Sequence, residues 1–141
     1  MNARKVSPLV FFFLLLTGCW GEWVDDKENF KRVFDFEKPA EVQVIHSYYW
    51  KSPHWTVEYR YYMEIDASQG FFDKLTASQV MDSSTAQIAA QAPCSTNREK
   101  PSWFLPKPLN EYLAWIPKTK SDYRIFRDKA DGRVFVCDMR L

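Results

Sequence analysis

The chain has 141 residues, a length that supports one compact domain and is too short for two. With 19 Lys and Arg against 18 Asp and Glu, its formal net charge is only +1, which excludes the concentrated positive charge of a typical nucleic-acid-binding protein. Six Trp, seven Tyr and eleven Phe are many for this length and predict a core rich in aromatic side chains.

The N-terminal segment has the pattern of a secretory signal peptide. Arg4 and Lys5 precede residues 6–16, which are apolar apart from one serine and one proline. This run is too short for a transmembrane helix, which needs about 20 residues. A basic start followed by a short apolar stretch is typical of a segment that directs secretion and is then removed. A buried hydrophobic helix is the alternative interpretation.

The residues Leu16-Thr17-Gly18-Cys19 end this segment, and they are similar to the lipobox of bacterial lipoprotein precursors. In that class a leucine, a small residue, and Gly or Ala precede an obligatory cysteine. The resemblance covers about the first nineteen residues and implies cleavage before Cys19, with lipid on its sulfur and amino group. It implies a lipid-anchored location outside the cytoplasm, on the cell membrane or outer membrane, since several acyl chains give a stable anchor. An ordinary signal peptide with a chance cysteine remains the other possibility.

This interpretation divides the chain into a signal peptide (1–18), a lipidated tether (19–24) and a single α+β domain (25–141). Removal of Arg4 and Lys5 changes the formal charge to −1. The expected partner is therefore a membrane, through the lipid on Cys19, and no nucleic-acid partner is expected.

The domain is predicted to open with a helix of about three turns. Asp25 and Glu28 have the spacing of helix-capping residues. Phe30, Val33 and Phe34 follow on one helical face, and Pro39 would end the element.

The clearest periodicity follows at residues 42–65 and predicts an antiparallel hairpin with a short polar turn at 51–54. One strand would place alternate residues on one face, namely Val42, Val44, His46, Tyr48 and Trp50. The other would do so with Trp55, Val57, Tyr59, Tyr61, Met63 and Ile65. Glu58 and Glu64, with Arg60 between them, have the pattern of a solvated opposite face.

A second helix is predicted to begin at Asp66 or Ser68 and to bury Phe71, Phe72 and Leu75. Residues 78–92 are either a weaker helix or a surface loop, and the proline-rich segment 95–110 is an ordered connection held by aromatic side chains. Residues 111–117 are one more strand or a helical turn.

A closing hairpin is predicted at Tyr123–Asp128 and Arg133–Met139, with Asp131-Gly132 as the turn. In the last strand Cys137 would share a face with Phe135 and Met139 and point into the core. The elements together predict an α+β fold: an antiparallel sheet of four to five strands with two to three helices packed on one face.

Cys94 and Cys137 remain once Cys19 is assigned to lipid. An even pair in an oxidising compartment predicts a disulfide, and two buried free thiols are the alternative. No metal site or cofactor is expected, because there is no Cys-x-x-Cys and the two histidines, His46 and His54, are far from both cysteines in the sequence.

No pattern in the chain favours catalysis. His46 is the best general base by residue type, but its register favours a histidine packed in the aromatic face, and His54 belongs to the hairpin turn. A Ser-His-Asp set with Ser47 lacks the Gly-x-Ser-x-Gly turn that would support it. We therefore expect the protein not to be an enzyme.

Binding has more support, because five large residues surround the hairpin turn: Tyr48, Tyr49, Trp50, His54 and Trp55. Tyr and Trp are enriched at interaction hot spots, although core and edge packing would also explain the cluster. The first functional hypothesis is a membrane-anchored protein-binding module, such as an immunity or inhibitor lipoprotein or an exclusion factor. The second is an accessory envelope lipoprotein that contacts lipid or glycan through this aromatic turn.

Overall fold

The computed structural model describes residues 21–53, 58–78, 81–119 and 121–141. The predicted signal peptide and Cys19 lie outside these residues, as do His54 and Trp55. In the described part, strands form one antiparallel sheet in the spatial order β1-β2-β3-β7-β6-β5-β4. Their bounds are β1 Gly21–Val24, β2 Val42–Lys51, β3 Tyr59–Ala67, β4 Met81–Ser84, β5 Tyr112–Pro117, β6 Arg124–Asp128 and β7 Val134–Arg140.

Four α-helices and one 3-10 turn connect these strands within the described residues. They are α1 Asn29–Phe34, α2 Gln69–Ser78, α3 Ala86–Ala89 and α4 Pro93–Thr96, with the 3-10 turn at Leu109–Glu111. The fold is therefore mixed α+β, as predicted, but the prediction of four to five strands was wrong. The two additional strands are β1, which lies where a tether was expected, and β4, which lies in the segment interpreted as helix or loop.

The helices cover both faces of the sheet, so their predicted placement on one face was also wrong. α1 and α2 contribute Phe30, Phe71 and Phe72 to one cluster with the sheet. Ala89 of α3 and Cys94 of α4 contribute to a second cluster on the other side. We call these two sides the α1/α2 face and the disulfide face. Because both are covered, the central strand β3 has consecutive buried residues instead of an alternating pattern.

Glu64 illustrates the consequence. Glu64 was predicted to lie on a solvated face, but it is only 4% exposed, whereas Glu58 and Arg60 of the same predicted face are half-buried. The Glu64 carboxylate accepts a hydrogen bond from Arg133 at 2.6 Å, which supplies the opposite charge that a buried carboxylate requires.

A bulge in β2 divides the face that the sequence predicted as continuous. The register shifts between Val44 and His46, so one extra residue reverses the alternation. Val44 packs on the α1/α2 face, whereas Tyr48 packs on the disulfide face. The prediction that these side chains share one face was therefore wrong.

The first helix is shorter than predicted. It begins at Asn29, and Asp26 Oδ1 accepts the Glu28 N–H at 2.8 Å, whereas Asp25 Oδ1 accepts the N–H of Ser47 on β2. It ends at Phe34, because Asp35 has φ +59° and leaves the helical conformation before Pro39.

Cys94 and Cys137 form a disulfide with a Cα–Cα distance of 6.1 Å, as predicted. Both residues are fully buried, and Cys137 shares its face of β7 with Phe135 and Met139. The bond attaches α4 and the segment after it to the centre of the sheet, which positions the loop that carries Trp103.

Candidate functional site

The structure separates the residues of the predicted aromatic cluster. Tyr48 packs on the disulfide face and Tyr49 on the α1/α2 face, as expected for consecutive residues of a strand. Trp50 returns to the same side as Tyr48. His54 and Trp55, which complete the predicted cluster, lie outside the described residues.

One side of β2 nevertheless forms a continuous half-buried surface. We call it the aromatic strip and define it as His46, Tyr48 and Trp50 of β2, with Arg60 of β3 and Trp103 of the connection between α4 and β5. The three β2 residues share a side because they follow the bulge at every second position. The His46 and Trp103 rings stack with centroids 5.3 Å apart and an interplanar angle of 27°.

Trp103 is held in place by its neighbour in the chain. Phe104 is fully buried, and its ring meets that of Tyr62 at 4.9 Å and that of Phe135 at 5.8 Å. This anchoring leaves Trp103 at the surface beside His46. The strip is consequently built on buried aromatic side chains on its inner side.

Arg60 supplies the charge of the strip and bridges its two other rings. Its guanidinium carbon lies 5.7 Å from the Tyr48 ring centroid and 5.6 Å from that of Trp50. Nη2 donates to the Tyr48 hydroxyl at 3.3 Å, and Nη1 pairs with the Glu99 carboxylate. Burial opposes the positive charge, but the contacts with Tyr48 and Glu99 outweigh it and raise the pKa of Arg60.

The strip extends to the edge of the sheet at β1. Val24 pairs with Tyr48 and Glu22 pairs with Trp50, so their side chains lie on the same side. Val24 is 61% exposed and adds apolar surface beside the rings. The predicted tether is thus in part a strand that borders the candidate site.

His46 does not form a base–nucleophile pair with Ser47. Its Nδ1 lies 3.5 Å from Asp25 Oδ2, and its side chain is 42% exposed. Ser47 is buried on the other side of β2, where its hydroxyl oxygen accepts a hydrogen bond from Asn29 at 3.0 Å. His46 instead packs on Trp103, on the opposite side of the sheet from Val44, with which its predicted register had grouped it.

The described residues contain no group of three or more His, Cys, Asp or Glu side chains placed to hold a metal ion. Nor does any helix among them have the length and apolar character needed to cross a membrane.

Sequence reasoning identified Tyr48 and Trp50 but did not include Arg60 or Trp103 in the site. Arg60 had a local signal, since it alternates with Tyr62 on β3. No local signal placed Trp103 beside His46, because the disulfide-linked loop brings these two residues together only in the folded chain.

The chain matches no protein-family model, and its comparison with curated proteins and with solved structures gives no match.

Proposed function

We propose that this protein is an envelope lipoprotein, anchored through Cys19 outside the cytoplasm, whose folded part is a protein-binding module. The lipobox-like residues Leu16-Thr17-Gly18-Cys19 support the anchor. The observation that supports binding is the aromatic strip, in which tyrosine, tryptophan and arginine lie half-exposed on one side of β2. These three residue types dominate interaction hot spots. An immunity or inhibitor protein, or an exclusion factor, is the kind of module proposed.

Preorganisation strengthens the case for the strip. Arg60 is held by Tyr48 and Glu99, and Trp103 is stacked on His46. Side chains that are already ordered lose little rotamer entropy when a partner binds. The strip therefore has the properties of a recognition surface as well as its composition.

Site-specific photocrosslinking in cells tests the proposed interface. Val24, replaced by benzoylphenylalanine, is exposed beside Tyr48 and should crosslink to a partner protein. Leu113 is 47% exposed on β5, on the opposite face, and serves as the matched control position. The crosslink at position 24 should be lost in a Trp50→Ala background. Equal crosslinking at both positions, or none at position 24, would contradict the proposal.

The anchor has its own test. Cells fed radiolabelled palmitate should label the wild-type chain but not Cys19→Ser, whereas Cys94→Ser should remain labelled. Label in Cys19→Ser would exclude this cysteine as the attachment point.

The second candidate function is contact with lipid headgroups or glycan, and one observation favours it. Trp50 pairs with Glu22, which is three residues from Cys19. Three extended residues and one strand spacing place Trp50 within about 15 Å of a lipidated Cys19. Tryptophan and tyrosine favour the membrane–water interface, so a strip at this distance could lie among headgroups.

Tryptophan fluorescence separates the two candidates. A chain from residue 20 onward contains every described element and can be mixed with anionic phospholipid vesicles or cell-wall fragments. Headgroup or glycan contact should shift the emission to shorter wavelength, and Trp50→Phe should reduce the shift. Trp115→Phe is the control, because Trp115 packs on Phe72 on the other face. An unchanged wild-type spectrum would leave the protein-binding proposal and exclude this one.

A further inference from the structure

The α1/α2 face carries a row of polar and aromatic side chains that continues across four strands. Trp23 pairs with Tyr49, Tyr49 pairs with Tyr61, and Tyr61 pairs with Asp138. Directly paired residues of antiparallel strands point to the same side of a sheet. The row therefore ends in a carboxylate on the face that α1 and α2 cover.

A cavity of about 370 Å³ lies over this row. Ring-bearing side chains supply much of its lining, namely Phe34, Phe36, Tyr49, Tyr59, Tyr61 and Tyr123. Asp138 and Ser121 also line it. The volume is within the range of small-ligand sites.

One buried polar atom beside this cavity has no partner within the described part of the chain. Tyr123 is only 8% exposed, and its hydroxyl forms no hydrogen bond there. Buried hydroxyls are normally satisfied, so an exception requires an explanation. Because Tyr123 is one of the residues that line the cavity, a ligand bound there is the partner we expect for this buried hydroxyl.

Asp138 is the second polar group of the cavity with capacity for a ligand. Its Oδ2 accepts from the Tyr59 hydroxyl at 2.7 Å, and its Oδ1 accepts the N–H of Met139 at 2.8 Å. No ion pair joins it to a basic side chain of the described residues. Burial raises the pKa of Asp138, against the opposing effect of its two hydrogen bonds. A half-buried carboxylate without a counter-charge favours a cationic ligand.

The charged groups around the cavity do not fill that role. Arg32 lines the cavity, but its Nη1 donates to Asp26 and Asn29, both at 2.8 Å, and its guanidinium lies over the Trp23 ring. Arg124 donates to the backbone carbonyls of Ser121 and Tyr123.

Two further charges stand near Asp138. Asp122 adds negative charge and acts on Asp138 in the direction opposite to Arg124. Arg140 is exposed at the end of β7, on the side of Tyr59. An incoming cation therefore meets a carboxylate that no described residue has neutralised by direct contact.

We propose that this cavity binds an organic ammonium cation. The Asp138 carboxylate provides the counter-charge, the Tyr123 hydroxyl oxygen accepts an N–H of the ligand, and the tyrosine rings contribute cation–π attraction. The site lies on the face opposite the aromatic strip, so it does not depend on the function proposed for that strip. A free alkylamine and the ammonium group of a partner's lysine share this chemistry.

Isothermal titration of the full chain in a neutral detergent tests the proposal. The probes are butylammonium, tetramethylammonium, n-butanol and butyrate. Butylammonium should bind most tightly, and tetramethylammonium more weakly because it has no N–H for Tyr123. The neutral alcohol and the anion should bind at least about tenfold more weakly than butylammonium. Equal binding of butylammonium and n-butanol would overturn the proposal without requiring any variant.

Variants locate the binding. Asp138→Asn, which keeps an acceptor for Tyr59, should weaken butylammonium at least about tenfold, and Tyr123→Phe should weaken it severalfold. Tyr112→Phe removes a hydroxyl on the other face and should leave binding unchanged. Undiminished affinity in Asp138→Asn would overturn the assignment.

A capped Gly-Lys-Gly peptide separates the two sources of the ammonium group. Tighter binding of the peptide than of butylammonium, lost in Asp138→Asn, identifies a protein lysine as the ligand. Tighter binding of butylammonium, lost in the same variant, identifies a free amine. Failure of every ammonium probe would overturn the proposal and leave the crosslinking result at the strip unaffected.

Discussion

The two faces of the sheet are both covered, yet their aromatic side chains are packed differently. On the disulfide face, Phe104 and Phe135 pack edge-on, with an interplanar angle of 86°. On the α1/α2 face, Tyr49 and Tyr61 stand nearly parallel, with an interplanar angle of 6°, and lead to Asp138 beside a cavity. The disulfide face is cross-linked, and its two buried carboxylates, Glu64 and Asp128, each contact a basic side chain, whereas Asp138 on the other face forms no ion pair within the described residues.

Breaking the disulfide should produce the largest change in the free energy of unfolding. The Cys94→Ala/Cys137→Ala variant should lose about 4 kcal/mol of unfolding free energy, because a bond across 43 positions restricts the unfolded chain. Urea denaturation followed by tryptophan fluorescence measures the loss. Reductant should destabilise the wild type similarly and leave the variant unchanged. A variant within about 1 kcal/mol of the wild type would mean that the disulfide face does not depend on its cross-link.

The stability contributions of buried Asp128 and half-buried Asp138 should respond to pH in opposite directions. Asp128, on the disulfide face, accepts from Lys107 at 2.6 Å and from the Ala130 N–H at 2.8 Å. Burial would raise its pKa, but these contacts outweigh burial and lower the pKa of Asp128. Its stabilisation is therefore present above the unfolded carboxyl pKa and is lost as pH falls through the lower folded value. Asp128→Asn should cost about 2 kcal/mol near neutral pH and progressively less in acid.

The contribution of Asp138 to the unfolding free energy has the opposite pH dependence. The folded pKa of this carboxyl is raised, so the native state holds the proton more tightly and stability falls as pH rises through that raised value. Asp138→Asn should thus be more stable than the wild type near neutral pH, with the difference disappearing below the unfolded carboxyl pKa. Urea titrations at about pH 7 and about pH 3.5 compare both variants. The same pH trend in the two variants would remove the electrostatic distinction between the faces.

The smallest effect concerns one hydroxyl on each face. The Tyr112 hydroxyl accepts the backbone N–H of Lys107 at 3.1 Å, so Tyr112→Phe should cost about 1 kcal/mol. The Tyr123 hydroxyl has no partner in the described part of the chain, so Tyr123→Phe should be neutral or stabilising without ligand. Thermal unfolding of the matched pair measures the contrast. Equal destabilisation would show that the Tyr123 hydroxyl is satisfied in the free protein.

Local sequence patterns predicted much of the sheet. The alternation at 59–65 corresponds to β3, and Asp131-Gly132 lies in the connection between β6 and β7, where Gly132 has φ +76°. The disulfide was also predicted, because pairing depended only on the compartment and an even count. Four-residue strands such as β1 and β4 were missed, since they are too short to show a period.

The candidate sites also combine residues that a local pattern identifies with positions that only long-range pairing decides. Tyr48 and Trp50 belong to a strand whose alternation is visible in the sequence, so two of the five residues of the aromatic strip were predicted. Asp138 also had a local signal, because it shares a face of β7 with Val134 and Val136. Its position beside Tyr59 and Tyr61 depends on the pairing of β3 with β7 across more than seventy residues, which no local pattern specifies.

The sequence by itself determined the hairpins, the pairing of the cysteines and the aromatic character of the core, because these follow from period, turn chemistry and composition. Only the tertiary structure decided which side of the sheet each aromatic residue faces. A single inserted residue in β2 reverses the alternation, and helices on both faces bury positions that would otherwise be solvated. Those long-range contacts complete the strip on one face and the cavity on the other.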